Sequence, residues 1–336
     1  MKKAIFCAVA LMFGATMFAQ GPTITRTTTT SPAINDSDVN QTGWLNDATI
    51  TQTGQNISTV DQEFNRNEAM VTQVGNNWSD IDQSGDVGNQ RQSGYQNKAT
   101  VDQKGGYAAY QVSDIDQQGD NNMIDVDQDG EDNYAKVQQG NNGNAENNYA
   151  KVKQEGGTIN KGNNADVLQT YDNNYADILQ KGNGNDVLLR QVSGPDQSEG
   201  NYAIHSQEGD NNFIDSEQKT TQNAPSLQIA GYTNGEWVTQ TGNDNGSKLR
   251  QEGEGNISIV DQQDGLINGA PHGPAGVSNY ADVSQTDQRN YSSITQGLKG
   301  STSDNTATVT QSGNQWNVSN ITQMGGNSAS VTQTNP

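Results

Sequence analysis

The feature that most constrains this chain is a nine-residue phrase, first seen as NDATITQTG at Asn46–Gly54, that recurs about two dozen times. Its Asn, Ala, Ile and Gln fall on every second residue, and residues spaced in this way share one face of an extended strand. The closing glycine suits a tight turn, because glycine adopts positive φ without steric cost. Each copy is therefore predicted to be a short strand followed by a turn.

One strand face carries the same four kinds of side chain in copy after copy: Asn, then Ala or Ser at +2, a branched apolar residue at +4 and Gln at +6. The inward amides assigned from this spacing are Asn46, Gln52, Asn56, Gln62, Asn67, Gln73, Asn133, Gln139, Asn174, Gln180, Asn317, Gln323, Asn327 and Gln333. The inward apolar residues are Ala48, Ile50, Val60, Val71, Val137, Ile178, Val309, Ile321 and Val331. A small residue beside a branched one leaves a thin interior, so two strands are expected to face each other closely in a coil of about 22 residues.

Amides on an inward face need partners, because a buried amide without hydrogen bonds costs about 1–3 kcal/mol. Stacked coils supply them, since identical amides of successive layers donate to and accept from one another, as in cross-β structures. The predicted fold is therefore all-β, an amyloid-like β-solenoid of stacked two-strand coils. Roughly a dozen coils at about 4.8 Å per strand would form a rod about 55–60 Å long.

Residues 1–19 are predicted to be a secretory signal peptide. Lys2 and Lys3 precede an apolar run that ends at Phe18, and Ala19 supplies a small residue before the polar sequence begins. This run is too short for a membrane-spanning helix followed by polar sequence. Export of the chain, with no membrane span in the mature protein, is the expectation.

The rest of the chain divides into a leader and one long repeat region. Residues 20–40 lack an alternating apolar pattern, so a flexible N-terminal leader is expected there. The repeat solenoid is expected over residues 41–335, with an interruption near 264–278. Pro271 and Pro274 lie in that interruption and cannot donate ladder hydrogen bonds, so a loop or kink is expected.

Composition narrows the possible partners. The chain has a net charge of −21; removal of Lys2 and Lys3 makes it −23, which disfavours nucleic acid and anionic membranes as partners. Apolar residues make up only 30% of the chain, a value typical of disordered proteins, but a disordered chain has no reason to keep this periodicity. The single cysteine, Cys7, lies in the signal segment, so the exported chain has no disulfide.

The repeats resemble a known family. The phrase Gln-x-Gly, a short gap and then Asn-x-Ala-x-x-x-Gln is clear from Gln323 to Gln333 and looser from Gln62 to Gln73. It is similar to the curlin repeat of bacterial curli subunits, and the similarity extends over residues 41–335. The resemblance implies a secreted β-solenoid subunit that polymerises into extracellular amyloid fibres for biofilm matrix and surface adhesion.

The resemblance also implies partners: other copies of the chain, other curli-type subunits including a nucleator, and an outer-membrane secretion pore that exports the unfolded chain. This sequence departs from the family in having about twice the usual number of repeats, a proline-containing interruption and a strong negative charge. Those departures leave open whether the chain is the major subunit, the nucleator or a specialised relative.

The ends of such a rod are expected to be the joining surfaces. Each terminal coil presents an unpaired strand edge, which is a template for another chain. The first copies, from Asn46 to Gln62, and the last, from Asn317 to Gln333, are the candidates for an end-to-end contact that does not close on itself. Outward aspartates would repel one another in a fibre, so assembly is expected to respond to salt or divalent cations.

Other function classes compete with the fibre subunit. A monomeric cell-surface adhesin or ligand-binding solenoid has the same repeats but would not seed its own aggregation. Ice binding would need regular threonine rows, which Thr49 and Thr51 begin but Asp and Tyr interrupt. An enzyme is disfavoured, because an interior of amides and small residues offers no pocket, and no cofactor or catalytic residue is predicted.

Two further motifs were considered as chemical sites. Asp125–Gly130 matches the start of a calcium loop, but Lys136 occupies the position of the bidentate glutamate, so an outward strand face is the alternative interpretation. His205 occupies an apolar position of a repeat and is interpreted as a tolerated substitution. His272 is interpreted as a loop residue, and no metal site is predicted.

Overall fold

A computed structural model describes residues 23–29, 35–84, 96–140, 145–193, 200–220, 234–263, 279–297, 304–313 and 316–335. Within these ranges the protein is all-β, and no helix occurs. The predicted signal peptide (1–19), the interruption near 264–278 and His272 lie outside the described residues.

The strands form two sheets. The first contains β1 (Thr23–Thr29), β3 (Asp47–Gly54), β5 (Glu68–Gly75), β7 (Lys98–Gly105), β9 (Met123–Gly130), β11 (Tyr149–Gly156), β13 (Tyr175–Gly182), β15 (Tyr202–Glu208), β17 (Gly235–Thr241), β19 (Ile257–Gln263), β21 (Asn290–Gln296) and β23 (Asn317–Gln323). The second contains β2 (Asp36–Trp44), β4 (Ile57–Asn65), β6 (Asn77–Ser84), β8 (Gln111–Gln118), β10 (Tyr134–Gln139), β12 (Asn164–Thr170), β14 (Asp186–Val192), β16 (Phe213–Lys219), β18 (Gly246–Glu254), β20 (Asn279–Gln288), β22 (Asn305–Ser312) and β24 (Ser328–Thr334).

Consecutive strands alternate between the odd and even sheets, and every neighbouring pair within a sheet is parallel. One odd and one even strand make one coil, so the two 12-stranded sheets define twelve stacked coils. The prediction of a β-solenoid built from two-strand coils is confirmed. The inward positions of the phrase stay in register along the stack. Ala150, Val152 and Gln154, for example, pair with Ala176, Ile178 and Gln180.

Coil length is more variable than the predicted 22 residues. Equivalent glutamines are 21 residues apart between Gln52 and Gln73 but 34 apart between Gln83 and Gln117. The strands stay in register in spite of this difference, with Gln83 still paired to Gln117. Long connections are tolerated in general because loop closure entropy grows slowly with loop length.

The core is the thin layer between the two sheets. Along β13, inward residues are buried and outward residues are half-buried, so Ala176 and Ile178 lie in the interior while Asp177 and Leu179 face outward. The rows of alanine, valine and isoleucine join into a single apolar cluster that runs from Ala48 to Ile321. Burial of each branched side chain contributes about 1.5–3 kcal/mol.

Glycine ends the odd strands from β3 to β13 for a steric reason as well as a conformational one. Gly130 has φ +135° at the end of β9, and a Cβ placed on it would lie 1.6 Å from the carbonyl oxygen of Gly156 in the next coil. Gly105 and Gly182 are equally crowded by the glycines that follow them in the stack. A side chain at this corner would force neighbouring coils apart.

The solenoid begins earlier than predicted. Strand β1 and most of β2 fall within residues 20–40, where the sequence predicted a flexible leader. Asn35, Val39 and Gln41 belong to a regular copy of the phrase that precedes the predicted start of the solenoid. Strand β1 pairs in register with β3 although its sequence, TITRTTT, does not match the phrase.

Candidate functional site

Twelve of the fourteen predicted inward amides are 4% exposed or less. The other two, Asn327 and Gln333, belong to the terminal coil, where Asn327 is exposed and Gln333 half-buried. Among the predicted apolar residues, all but Val331 are buried, and Val331 lies half-exposed in the same terminal coil.

The glutamines form one hydrogen-bonded row in each sheet, and both rows have a direction. Each Nε2 donates to the Oε1 of the equivalent glutamine one coil closer to the C-terminus, at 2.6 to 3.1 Å. The second hydrogen of the amide bonds a backbone carbonyl across the interior; Gln128 Nε2, for example, lies 3.0 Å from Val112 O. Both amide hydrogens of a buried glutamine are therefore hydrogen-bonded, as in Gln128.

The asparagines form rows that run in the opposite direction. The backbone N–H and the Nδ2 of Asn174 both donate to Asn148 Oδ1 in the preceding coil, at 2.9 and 3.0 Å. Asn174 Nδ2 also donates to the carbonyl of Thr170, 3.0 Å away, which closes the turn before the strand. Asparagine therefore links neighbouring coils and holds the turn at the same time.

The N-terminal end of the rod presents an acceptor in the even sheet. Gln41 and Gln52 are the first glutamines of the even and odd rows, and the Oε1 atom of each is buried without a hydrogen-bond partner. Strand β1 pairs with β3 next to Gln52, so Gln41 is the glutamine that lies at this end. Val39 and Gln41 of β2 are half-buried, because none of the described strands covers β2 on that side. The first copies were expected at Asn46 to Gln62, but Ser37, Val39 and Gln41 form this end instead.

The C-terminal end presents donors. Gln333 Nε2 makes one hydrogen bond, to Val318 O at 2.9 Å, where an interior glutamine makes two. Ala329, Val331 and Gln333 of β24 are half-exposed, because β22 covers only one side of the strand. In the odd sheet, Asn335 Nδ2 donates to Asn317 Oδ1 at 2.7 Å and closes that asparagine row.

Aromatic residues stack on the outer surface of the odd sheet. The rings of Tyr149, Tyr175 and Tyr202 lie 5.0 and 4.9 Å apart between centroids and are nearly parallel. Trp237 extends the stack at 5.4 Å from Tyr202, with its ring lying over Gly235, the residue that occupies the tyrosine position in that coil. Such pairs add to the stability of neighbouring coils.

Carboxylates line the outer surface of the even sheet near the N-terminus. Asp61, Asp82 and Asp116 are in register on successive strands. Burial raises the pKa of Asp82 from its ordinary value of 3.8 to about 6, and repulsion by Asp116 and Asp61 adds to the shift. Burial likewise raises the pKa of Asp116.

This acidic row predicts that the protein is more stable in mild acid. The raised pKa means that folded Asp82 holds a proton between pH 4 and 6 that the unfolded chain has released, so stability falls as pH rises through that window. We expect the Tm to fall between pH 4 and pH 7, and Asp82→Asn to reduce this fall. Thr322→Asn, at the equivalent outward position near the C-terminus, is the control. Equal pH slopes in wild type and Asp82→Asn would contradict the assignment.

The calcium-loop interpretation does not fit the conformation of its residues. Asp125, Asp127 and Asp129 lie on the outward face of the extended strand β9 rather than in a loop, and Lys153 Nζ lies 3.6 Å from Asp127. Throughout the described ranges, no group of three or more metal-ligating side chains converges.

A buried polar cluster was not anticipated from the sequence. Glu236 lies in β17 at a position where most copies have Ala or Ser, and its side chain is fully buried. His205 Nε2 lies 3.7 Å from Glu236 Oε2, and Ser216 Oγ donates to the same carboxylate oxygen. His205 is therefore part of a cluster rather than an isolated substitution.

Two in-register parallel sheets with continuous amide rows define an asparagine- and glutamine-laddered β-solenoid. The family model described as Curlin associated repeat matches residues 119–156 and 162–192, which contain β9–β11 and β12–β14. These two matches support a curlin-repeat family protein. No curated protein matches it. No helix in the described part of the chain is long and apolar enough to cross a membrane.

Proposed function

We propose that this protein is a secreted structural subunit that assembles end to end into extracellular, curli-like amyloid fibres for biofilm matrix and surface adhesion. The curlin repeats support a structural rather than an enzymatic role, since proteins of that family are extracellular fibre subunits. The partners in this proposal are further copies of the chain, other curli-type subunits including a nucleator, and an outer-membrane secretion pore. The predicted signal peptide supports export through the periplasm.

The observation that carries the proposal is the complementarity of the two ends. Gln41 Oε1 is a buried acceptor without a donor, and Gln333 Nε2 has a hydrogen that no described residue accepts. When β24 of one copy stacks on β2 of the next, Gln333 donates to Gln41 and the even-sheet row continues across the joint. A buried unpaired acceptor costs about 1–3 kcal/mol, so the joint recovers free energy that the monomer lacks.

Apolar contacts favour the same joint. Val39 and Val331 hold equivalent positions in their repeats, and both are half-exposed because the described residues place no further coil over them. Stacking in register places each valine on the other, as Val60 and Ile81 are placed inside the rod. Unpaired backbone groups on the same strands complete the ladder.

The amide rows make the joint directional. Two N-terminal ends in contact would bring the Gln41 carbonyls together, and two C-terminal ends would bring the Gln333 amide hydrogens together. Neither arrangement forms the bond, so the rows favour head-to-tail stacking, a contact that repeats without closing.

The test uses charged substitutions at one end of the rod. Mature chains are refolded from denaturant with seeds, and fibre growth is followed by dye binding. Val331→Lys is expected to keep the strand content of the monomer and to slow elongation at least 10-fold, because it buries an unpaired charge in the joint. Thr332→Lys is the matched control, since Thr332 lies on the same strand and faces outward. Equal elongation by wild type and Val331→Lys would contradict the proposal, as would a wild-type chain that stays monomeric with seeds.

A further inference from the structure

The interior pattern is broken in two consecutive coils. At the +4 position, every described strand from β2 to β24 carries an apolar residue except β15 and β16, which carry His205 and Ser216. At the +2 position, Glu236 of β17 is the one charged residue among those same strands. Glu236 contacts both of the other exceptions, so the three are clustered and not scattered along the rod.

The surroundings of the cluster are small or apolar. His205 is stacked between Ile178 and Val238, and Ser216 lies between Leu189 and Leu249. Ala203 and Ser258 flank Glu236 in its own row.

The hydrogen bond from Ser216 and the approach of His205 Nε2 are the polar contacts of the Glu236 carboxylate in the described part of the chain. Glu236 Oε1 and both ring nitrogens of His205 have no hydrogen-bond partner. A buried carboxylate in such a place is costly, so its retention calls for a physical explanation.

Regular repeats create a problem of register. Since most coils present the same four rows, a coil stacked on the wrong neighbour would regain nearly the same contacts. The connections before β15 and before β17 contain several extra residues and offer little resistance to such a slip. Identical apolar rows specify register weakly, whereas a single buried polar group specifies it strongly, as in coiled coils.

We propose that Glu236, Ser216 and His205 form a register lock that fixes the coil of β17 and β18 on the coil of β15 and β16. In the native stack, the small Ser216 leaves room for the Glu236 side chain and hydrogen-bonds it. If β17 slipped onto β13, the even strand below would be β14, and the carboxylate would meet Leu189 in place of Ser216. The slipped stack would bury the carboxyl group without a hydrogen bond, while the native stack supplies one from Ser216.

The lock acts within one chain, so it is independent of the proposed fibre. It is a specificity device and not a source of stability, because apolar replacements of buried polar groups are often neutral or stabilising. The test must therefore report register, and stability serves only as a companion measurement.

Disulfide trapping reports the register directly. Ser206 and Thr239 are outward, in-register neighbours, and Leu179 is the outward neighbour of Ser206 one coil further away. Adjacent strands are about 4.8 Å apart, within disulfide range, whereas two coils separate residues by about 9.6 Å, beyond it. The pair Ser206→Cys with Thr239→Cys traps the native stack, and Leu179→Cys with Thr239→Cys traps the slipped one.

Each cysteine pair is placed in its own variant of the mature chain, which lacks Cys7. The variants are oxidised during refolding at high dilution, so that disulfides within one chain are scored. We expect the native pair to close and the slipped pair to stay reduced. The triple variant Glu236→Ala, Ser216→Val and His205→Val restores the regular rows, and it should increase closure of the slipped pair at least 10-fold while the Tm holds or rises. Closure of the native pair alone in the triple variant, as in the wild type, would overturn the lock. So would appreciable slipped closure in the wild type.

Discussion

Replacing Gln128 by methionine is expected to lower the free energy of unfolding by roughly 2–6 kcal/mol, although methionine matches glutamine in length and volume. Gln103 Nε2 donates to Gln128 Oε1 at 2.8 Å, and Gln128 Nε2 donates to Gln154 Oε1 at 2.8 Å. The substitution leaves an amide hydrogen of Gln103 and the carbonyl oxygen of Gln154 unpaired in the interior. Denaturant unfolding of monomers under non-assembling conditions measures the loss.

Two companion variants separate the contribution of the amide row to stability from that of local packing. Gln333→Met, in the half-exposed terminal coil, should cost less in the monomer than Gln128→Met, about 1–3 kcal/mol, because it leaves one buried group unpaired, the Gln311 amide, where Gln128→Met leaves two. The double variant Gln128→Met with Gln154→Met should cost clearly less than the sum of the single variants, since each removes a group that the other leaves unpaired. Additive losses, or equal losses for Gln128→Met and Gln333→Met, would show that the row contributes no more than ordinary packing.

Gly130→Ala is expected to cost about 3 kcal/mol or more, enough to remove much of the stability of an ordinary domain. The new methyl group would lie 1.6 Å from the Gly156 carbonyl oxygen while φ is held at +135°. Either the turn rearranges or the two coils separate, and both disrupt the hydrogen-bonded rows beside them. Thermal unfolding and the strand signal in circular dichroism report the effect.

Gly325→Ala is the matched control for this prediction. Gly325 also has positive φ, +73°, but an added Cβ would meet nothing within 4 Å. Its cost should therefore stay near the cost of left-handed strain alone, about 1–2 kcal/mol. Similar losses for the two alanine variants would mean that conformation, and not contact between coils, explains the glycine.

Much of the fold follows from period-two spacing. The phrase around Asn174 places its asparagine, alanine, isoleucine and glutamine on one face, and the structure buries that face while Asp177 points outward. The small residue at Ala176 predicted the thin interior, from which the two-strand coil follows. The residue-by-residue alignment of two neighbouring strands needs no further information where the copies are regular, because only in-register pairing satisfies every amide.

The remainder depends on context that a repeat pattern does not contain. Strand β1 has no copy of the phrase, and its pairing with β3 comes from covering an exposed strand edge. The copy at Asn35 was recoverable from the sequence, since Val39 and Gln41 have the usual spacing. Glu236 was not, because a charged residue at a small position is explained only by Ser216 in a strand of the other sheet.

The direction of the amide rows was also beyond the sequence. Glutamine repeated at one position predicts a row of hydrogen bonds but not which way each amide points. The backbone carbonyls across the interior, such as Asn164 O for Gln180 at 2.8 Å, orient every Nε2 alike. That common orientation makes the two ends of the rod chemically different, and the fibre proposal depends on this difference.

The axial repeat of assembled fibres is the most direct test of the central claim, which is head-to-tail stacking of intact twelve-coil rods. Electron microscopy and diffraction from aligned fibres should give the strand spacing of about 4.8 Å along the axis together with a longer repeat of roughly 58 Å, the length of one subunit. All subunits in a fibre should point the same way. Fibres in which neighbouring subunits alternate in direction, or whose strands run along the axis, would contradict the account.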